Sequence, residues 1–137
     1  MRAAAARLRA RLGWRGASLL VCGVPWVVYG VGLLTTPRVG VSRAAGAITS
    51  VVSLCTWGWI WMLCGLLAIA AALLRPGRDV WGFAAAAGPP LIWALAYITA
   101  GATGDYRQAW ASVPLLLVPV GLLVIVAVMT KGETRGG

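Results

Sequence analysis

The sequence predicts an all-α polytopic membrane protein: four transmembrane helices in an antiparallel bundle, with both termini cytoplasmic. Three observations predict it. The 137 residues are 61% apolar and only 11% charged, whereas a soluble domain carries about a quarter charged residues to keep its surface wet. Four stretches contain no Asp, Glu, Lys or Arg, and each approaches the roughly 20 helical residues that cross a hydrocarbon core about 30 Å thick. None alternates with period two, and a lipid-exposed backbone must satisfy its own hydrogen bonds, so helices are expected rather than barrel strands.

Taken in order, residues 1–16 are a basic cytoplasmic segment with Arg2, Arg7, Arg9, Arg11 and Arg15 and no acid. Arg7, Arg11 and Arg15 stand at i, i+4 spacing, with Leu8 and Leu12 one residue on. A cleaved signal or transit peptide is disfavoured. The apolar run that follows is span-length, and the nearest small-residue site, Ala45-Gly46-Ala47, lies beyond Pro37 and Arg38. An uncleaved anchor with a basic skirt on anionic headgroups is expected, each arginine being worth about 1 kcal/mol near such a surface.

The transmembrane domain, residues 17–129, has spans at 17–34, 51–74, 80–100 and 109–129, and residues 130–137 form a short basic tail. The connection 35–50, with Arg38 and Arg43, is long enough for a short interfacial helical piece. Arg75-Pro76-Gly77-Arg78-Asp79 is short and forces an antiparallel hairpin. Gly101 to Gln108, with Gly104-Asp105-Tyr106, makes a second tight turn.

Orientation follows from the basic residues. Nine fall on the side of the termini and of Arg75 and Arg78, against Arg38, Arg43 and Arg107 on the other. The positive-inside rule places the larger set, and with it both termini, in the cytoplasm; the cell (inner) membrane is the expected location. Trp14, Trp81 and Phe83 are expected at the cytoplasmic interface, and Tyr97, Tyr106 and Trp110 at the outer one. Trp26, Trp93 and Trp61 are too deep for a belt and should pack between helices. Trp57, Trp59 and Trp61 alternate and point to different faces, so they do not share one role.

Small residues recur at helical spacing: Gly23 and Gly30, Gly58 and Gly65, Ala68 and Ala72, Ala84 and Gly88. Such stripes let backbones approach closely. Packing within the chain is their expected use, and contact between copies is the alternative. Prolines inside three spans, Pro25, Pro89-Pro90, and Pro114 with Pro119, each remove a donor and are expected to bend their helices. In the cytoplasmic loop Arg75, Arg78 and Asp79, the carboxylate suits a helix N-terminus; a salt-bridged recognition turn is the alternative.

The composition excludes most chemistry. Without histidine, zinc, haem and Ser-His sites lose their central residue. Cys22, Cys55 and Cys64 form no CxxC pair and read as small buried side chains. No metal or other cofactor is expected. Ion-coupled transport is usually marked by buried ionisable groups, and the spans hold none. Ser18, Ser53 and Ser112 lack a partner for nucleophilic catalysis, so no enzyme is expected. The expected partner is the lipid bilayer, with anionic headgroups at the cytoplasmic face; a homo-oligomer with further copies of the chain is the alternative that the small-residue stripes offer. Nucleic acid is set aside because no folded reader accompanies the basic arm, and no protein partner can be named.

Gly77-Arg78-Asp79-Val80-Trp81-Gly82-Phe83, Pro89-Pro90, Trp93 to Tyr97 and Gly104 to Trp110, together with Gly13 to Gly16 and Trp26 to Gly30, carry a resemblance over most of the chain. It resembles small four-span membrane proteins of phages and prophages of Streptomyces and related actinobacteria, some described as holin-like. That resemblance implies a phage-type protein. The leading expectation is holin-like permeabilisation through helix-mediated oligomerisation. A non-pore membrane adaptor or scaffold that binds an envelope partner is the rival. A small transporter using carbonyls near Pro89-Pro90 and Pro114–Pro119 comes third.

Overall fold

The computed structural model describes residues 2–36, 45–74, 79–104 and 107–130, and for residues 2–12 and Ala47 it describes the backbone alone. Arg75, Arg78, Tyr106 and the basic tail fall outside the described residues. The described chain is all-helical: α1 (Arg2–Thr35), α2 (Gly46–Thr49), α3 (Leu54–Ala72), α4 (Val80–Thr103), a 3-10 turn (Ala109–Ser112) and α5 (Val113–Met129). The short α2 occupies the long first connection.

Local chemistry sets the helix ends. The second span begins helically at Leu54 rather than at Val51 because Ser53 caps it: its Oγ accepts the Thr56 backbone N–H at 3.1 Å, satisfying one of the orphan donors of the first turn. Gly104 ends α4 at φ 82, a left-handed conformation that glycine adopts without penalty. The fourth span is a 3-10 turn followed by α5, and Pro114 therefore sits in the first turn of α5. There its missing N–H has no partner to lose, which corrects the expectation of a mid-span kink at Pro114. Pro25, Pro89, Pro90 and Pro119 do lie inside helices.

Four helices are long and apolar enough to cross a membrane: Gly13–Thr35, Leu54–Ala72, Val80–Thr103 and Ala109–Met129. Their outward faces are as apolar as their inward ones. Val21, Val24, Val28 and Val31 are exposed along α1, Leu63, Leu66 and Leu67 on α3, and Leu115, Leu122, Ile125 and Val128 on α5. A soluble bundle would present polar residues there. These surfaces mark the chain as a small multi-pass helical membrane protein.

Helix α1 packs most extensively on α3, α4 leans on α3, and α5 on α4. α5 is the outermost, burying only Val120 and Leu123 of its own residues. The interior divides into two clusters. One, around Trp57, Trp61, Trp93 and Tyr97, lies toward the end where α3 begins. The other, around Leu19, Cys22, Ala68, Ala71, Ala72, Ala86 and Leu123, lies toward the opposite end.

Candidate functional site

Three constellations organise the molecule, and the first is a glycine seam. A Cβ built on Gly23 would meet the Gly65 carbonyl oxygen at 2.8 Å, and one on Gly65 would meet that of Gly23 at 2.6 Å. One on Gly30 would stand 2.6 Å from the Gly58 oxygen, and one on Gly58 3.1 Å from that of Gly30. Pairing of 23 with 65 and 30 with 58 makes α1 and α3 antiparallel, with backbones in direct contact at two levels. Ala68 adds to the seam beside Gly23, and Ala72 is buried one turn on. The two seven-residue spacings thus meet each other inside the chain.

On α4 the small-residue stripe lies elsewhere than expected. Ala84 is exposed, and nothing lies within 4 Å of a Cβ on Gly88. The inward stripe is Gly82 and Ala86, two residues earlier, which is about 200° around the helix. Gly82 touches the Ala71 methyl so closely that a Cβ there would overlap it. Both stripes have four-residue spacing, and only the burial of Pro89, Pro90, Trp93 and Tyr97 on the same face as Gly82 and Ala86 distinguishes them.

The second constellation is an aromatic nest. Trp61 meets Trp26 at 4.8 Å between centroids, Tyr29 at 4.9 Å and Trp93 at 5.8 Å. Trp93 in turn meets Tyr29, Trp57 and Tyr97 at 5.8–5.9 Å. All but the last contact are edge-to-face, the geometry that the ring quadrupole favours. Tyr97 is buried here, against its expected place at the outer interface. Trp57 and Trp61, four apart, face inward while Trp59 faces out. Among the described residues the buried indole N–H groups of Trp57, Trp61 and Trp93 meet no hydrogen-bond acceptor. That of Trp26 donates to the Ala86 carbonyl at 2.9 Å. Ala86 is four residues before Pro90, whose ring nitrogen has no hydrogen to offer, so an indole on another helix replaces the missing backbone donor.

The third is a polar node where α1, α4 and α5 come together. Arg15 Nε donates to Asp79 Oδ2 at 2.6 Å and Nη2 to Oδ1 at 3.0 Å, a two-pronged ion pair of the kind that the planar guanidinium makes best. Nη1 donates to Thr130 Oγ1 at 2.9 Å, and the guanidinium carbon lies 4.7 Å over the Phe83 ring. Asp79 occupies the N-cap position of α4 but makes no side-chain cap bond, and it is only 3% exposed. Asp79 thus stands at the helix N-terminus as expected, but its carboxylate pairs with α1 rather than capping α4, and Arg15, read from the sequence as one of the basic run, is drawn into this node. The helix reaches back past Ala17, which carries Arg15 inside.

Trp14, Trp81 and Trp110 are 76%, 77% and 68% exposed. The cysteines are all free. Cys22 is buried, but Cys64 is half-buried and Cys55 exposed, which corrects the reading of all three as core side chains. Among the described residues no group of His, Cys, Asp and Glu could hold a metal ion. Sequence reasoning missed Gly82 and the Arg15 node; a glycine flanked by Trp81 and Phe83 is the one signal that could have found the former. Comparison with family models, curated proteins and solved structures finds no match.

Proposed function

We propose that the protein is a non-conducting membrane adaptor, a four-helix scaffold that holds its basic ends against the membrane for an envelope partner. The observation that carries this reading is the glycine seam. Gly23, Gly30, Gly58 and Gly65, the faces on which subunits would assemble, are covered by each other within one chain. Aromatic rings fill the interior at the end where α3 begins, and the ion pair at the other end ties helices together rather than lining a path.

Holin-like permeabilisation by a phage-type protein is the second reading, favoured by one feature. α5 leaves Leu115, Val118, Leu122 and Ile125 exposed, a broad surface on which copies could meet. The transporter reading is weakened, because Trp26 already takes a carbonyl that Pro90 releases.

Induced expression in a bacterial host with a potential-sensitive dye, the protein being quantified in the membrane fraction, tests the choice. A steady potential at high membrane levels is expected. Abrupt depolarisation after a delay, advanced by an energy poison, would overturn the adaptor reading in favour of lesion formation. Gly65→Leu would not probe assembly cleanly, since it would strike the protein's own α1–α3 contact first.

A further inference from the structure

Gly13 breaks α1 into two helical segments, adopting φ 54 and ψ −172. L-residues avoid this region, which is open to glycine. Among the described residues nothing lies within 4 Å of a Cβ placed there, so it is the backbone conformation that calls for glycine. On one side of the break is the membrane-spanning segment, pinned by Arg15 to Asp79 and Thr130. On the other, residues 2–12 are helical and about 16 Å long. At about 100° per residue, Ala5, Leu8 and Leu12 fall on one stripe. Arg7 and Arg11 run along one flank of that stripe and Arg2 and Arg9 along the other, with no acid in the segment. An apolar stripe between two rows of arginine is the pattern of a helix lying in a membrane interface. Exposed Trp14 and Trp81 stand at the same end of the bundle.

We infer that residues 2–12 form an in-plane helix that docks on anionic lipid headgroups, with Gly13 as the swivel that turns it out of line with the span. The inference rests on the chain crossing a membrane and not on the adaptor reading. Charge decides the occupant: four arginines without an acid match a negatively charged surface, and the apolar stripe between them has a place to go in lipid that it would not have on nucleic acid.

The arginines are themselves the probe. The full-length protein is placed in vesicles of phosphatidylcholine alone or with about 30% phosphatidylglycerol, and limited trypsinolysis is followed by mass spectrometry. Cleavage after Lys131 serves as reference, because Thr130 meets Arg15 and the tail starts at the same end. Relative to that reference, cleavage after Arg7, Arg9 and Arg11 is expected to slow about tenfold with the anionic lipid and to recover at about 0.5 M salt. Gly13→Ala, which favours one continuous helix, is expected to restore cleavage in anionic vesicles. Equal cleavage in both compositions would overturn the proposal. Protection that survives Gly13→Ala would overturn the swivel, and protection by an added oligonucleotide but not by anionic lipid would reassign the arm to nucleic acid.

Discussion

Single residues resolve the polar chemistry that a membrane interior makes expensive. Pro90 leaves the Ala86 oxygen without its helical donor, and Trp26 supplies one from α1. If that is why the indole is there, its worth depends on the proline. Trp26→Phe is expected to cost about 1–3 kcal/mol in the native background and clearly less in Pro90→Ala, where residue 90 regains an N–H for Ala86. A double-mutant cycle on thermal unfolding in detergent measures the coupling, and additive costs would show that the indole matters for packing alone. Arg15 poses the same problem with full charges. Arg15→Ala leaves a buried Asp79 without its guanidinium, for which about 3–5 kcal/mol is typical. Arg15→Lys is expected to recover only part of it, since an ammonium cannot hold both carboxylate oxygens and Thr130 in one plane. The same unfolding assay ranks the three proteins. Neither contact was legible in the sequence. The partners are 60 and 64 residues apart, and Arg15 read as one more member of a basic run.

Among the elements, periodicity was readable and facing was not. The seven-residue spacings of Gly23/Gly30 and Gly58/Gly65 marked faces where another backbone could approach closely, and the structure shows that those two faces meet each other. The same argument on α4 selected Ala84 and Gly88, whereas Gly82 and Ala86 face inward. In lipid the outer face is as apolar as the inner one, so the polar residues that would have identified the exposed side of a soluble helix are missing. The seam carries a graded prediction. Gly30→Ala would put a methyl against the Gly58 carbonyl and the Met62 backbone nitrogen, neither of which can rotate away. A loss of about 1–3 kcal/mol or more is expected from overpacking at such a site. Gly32→Ala, Gly88→Ala and Gly121→Ala meet open space and are expected to be neutral or slightly stabilising in helix. Thermal midpoints of the four variants in one detergent check the pattern, and equal behaviour would mean that the seam is looser than its distances imply.

For the molecule as a whole, the class was legible because it depends on composition and length, quantities that survive ignorance of every contact. Its sidedness rests on the bias of basic residues toward the termini, and a native residue can report on it. Cys55 is exposed at the second position of α3, and the pairing of Gly30 with Gly58 places it at the end of the bundle away from Arg15. Cys22 is buried and Cys64 half-buried within the spans, so an aqueous reagent should leave both untouched. If the termini are cytoplasmic, a membrane-impermeant maleimide added to intact cells is expected to label the wild-type protein, and Cys55→Ser is expected to abolish that labelling. Labelling that needs permeabilised cells would invert the topology. It would also move residues 2–12 to the outer face, away from the anionic cytoplasmic leaflet that their arginines match. The basic segment's partner and the direction in which the bundle is threaded are thus one question, and the thiol at Cys55 answers it without altering either.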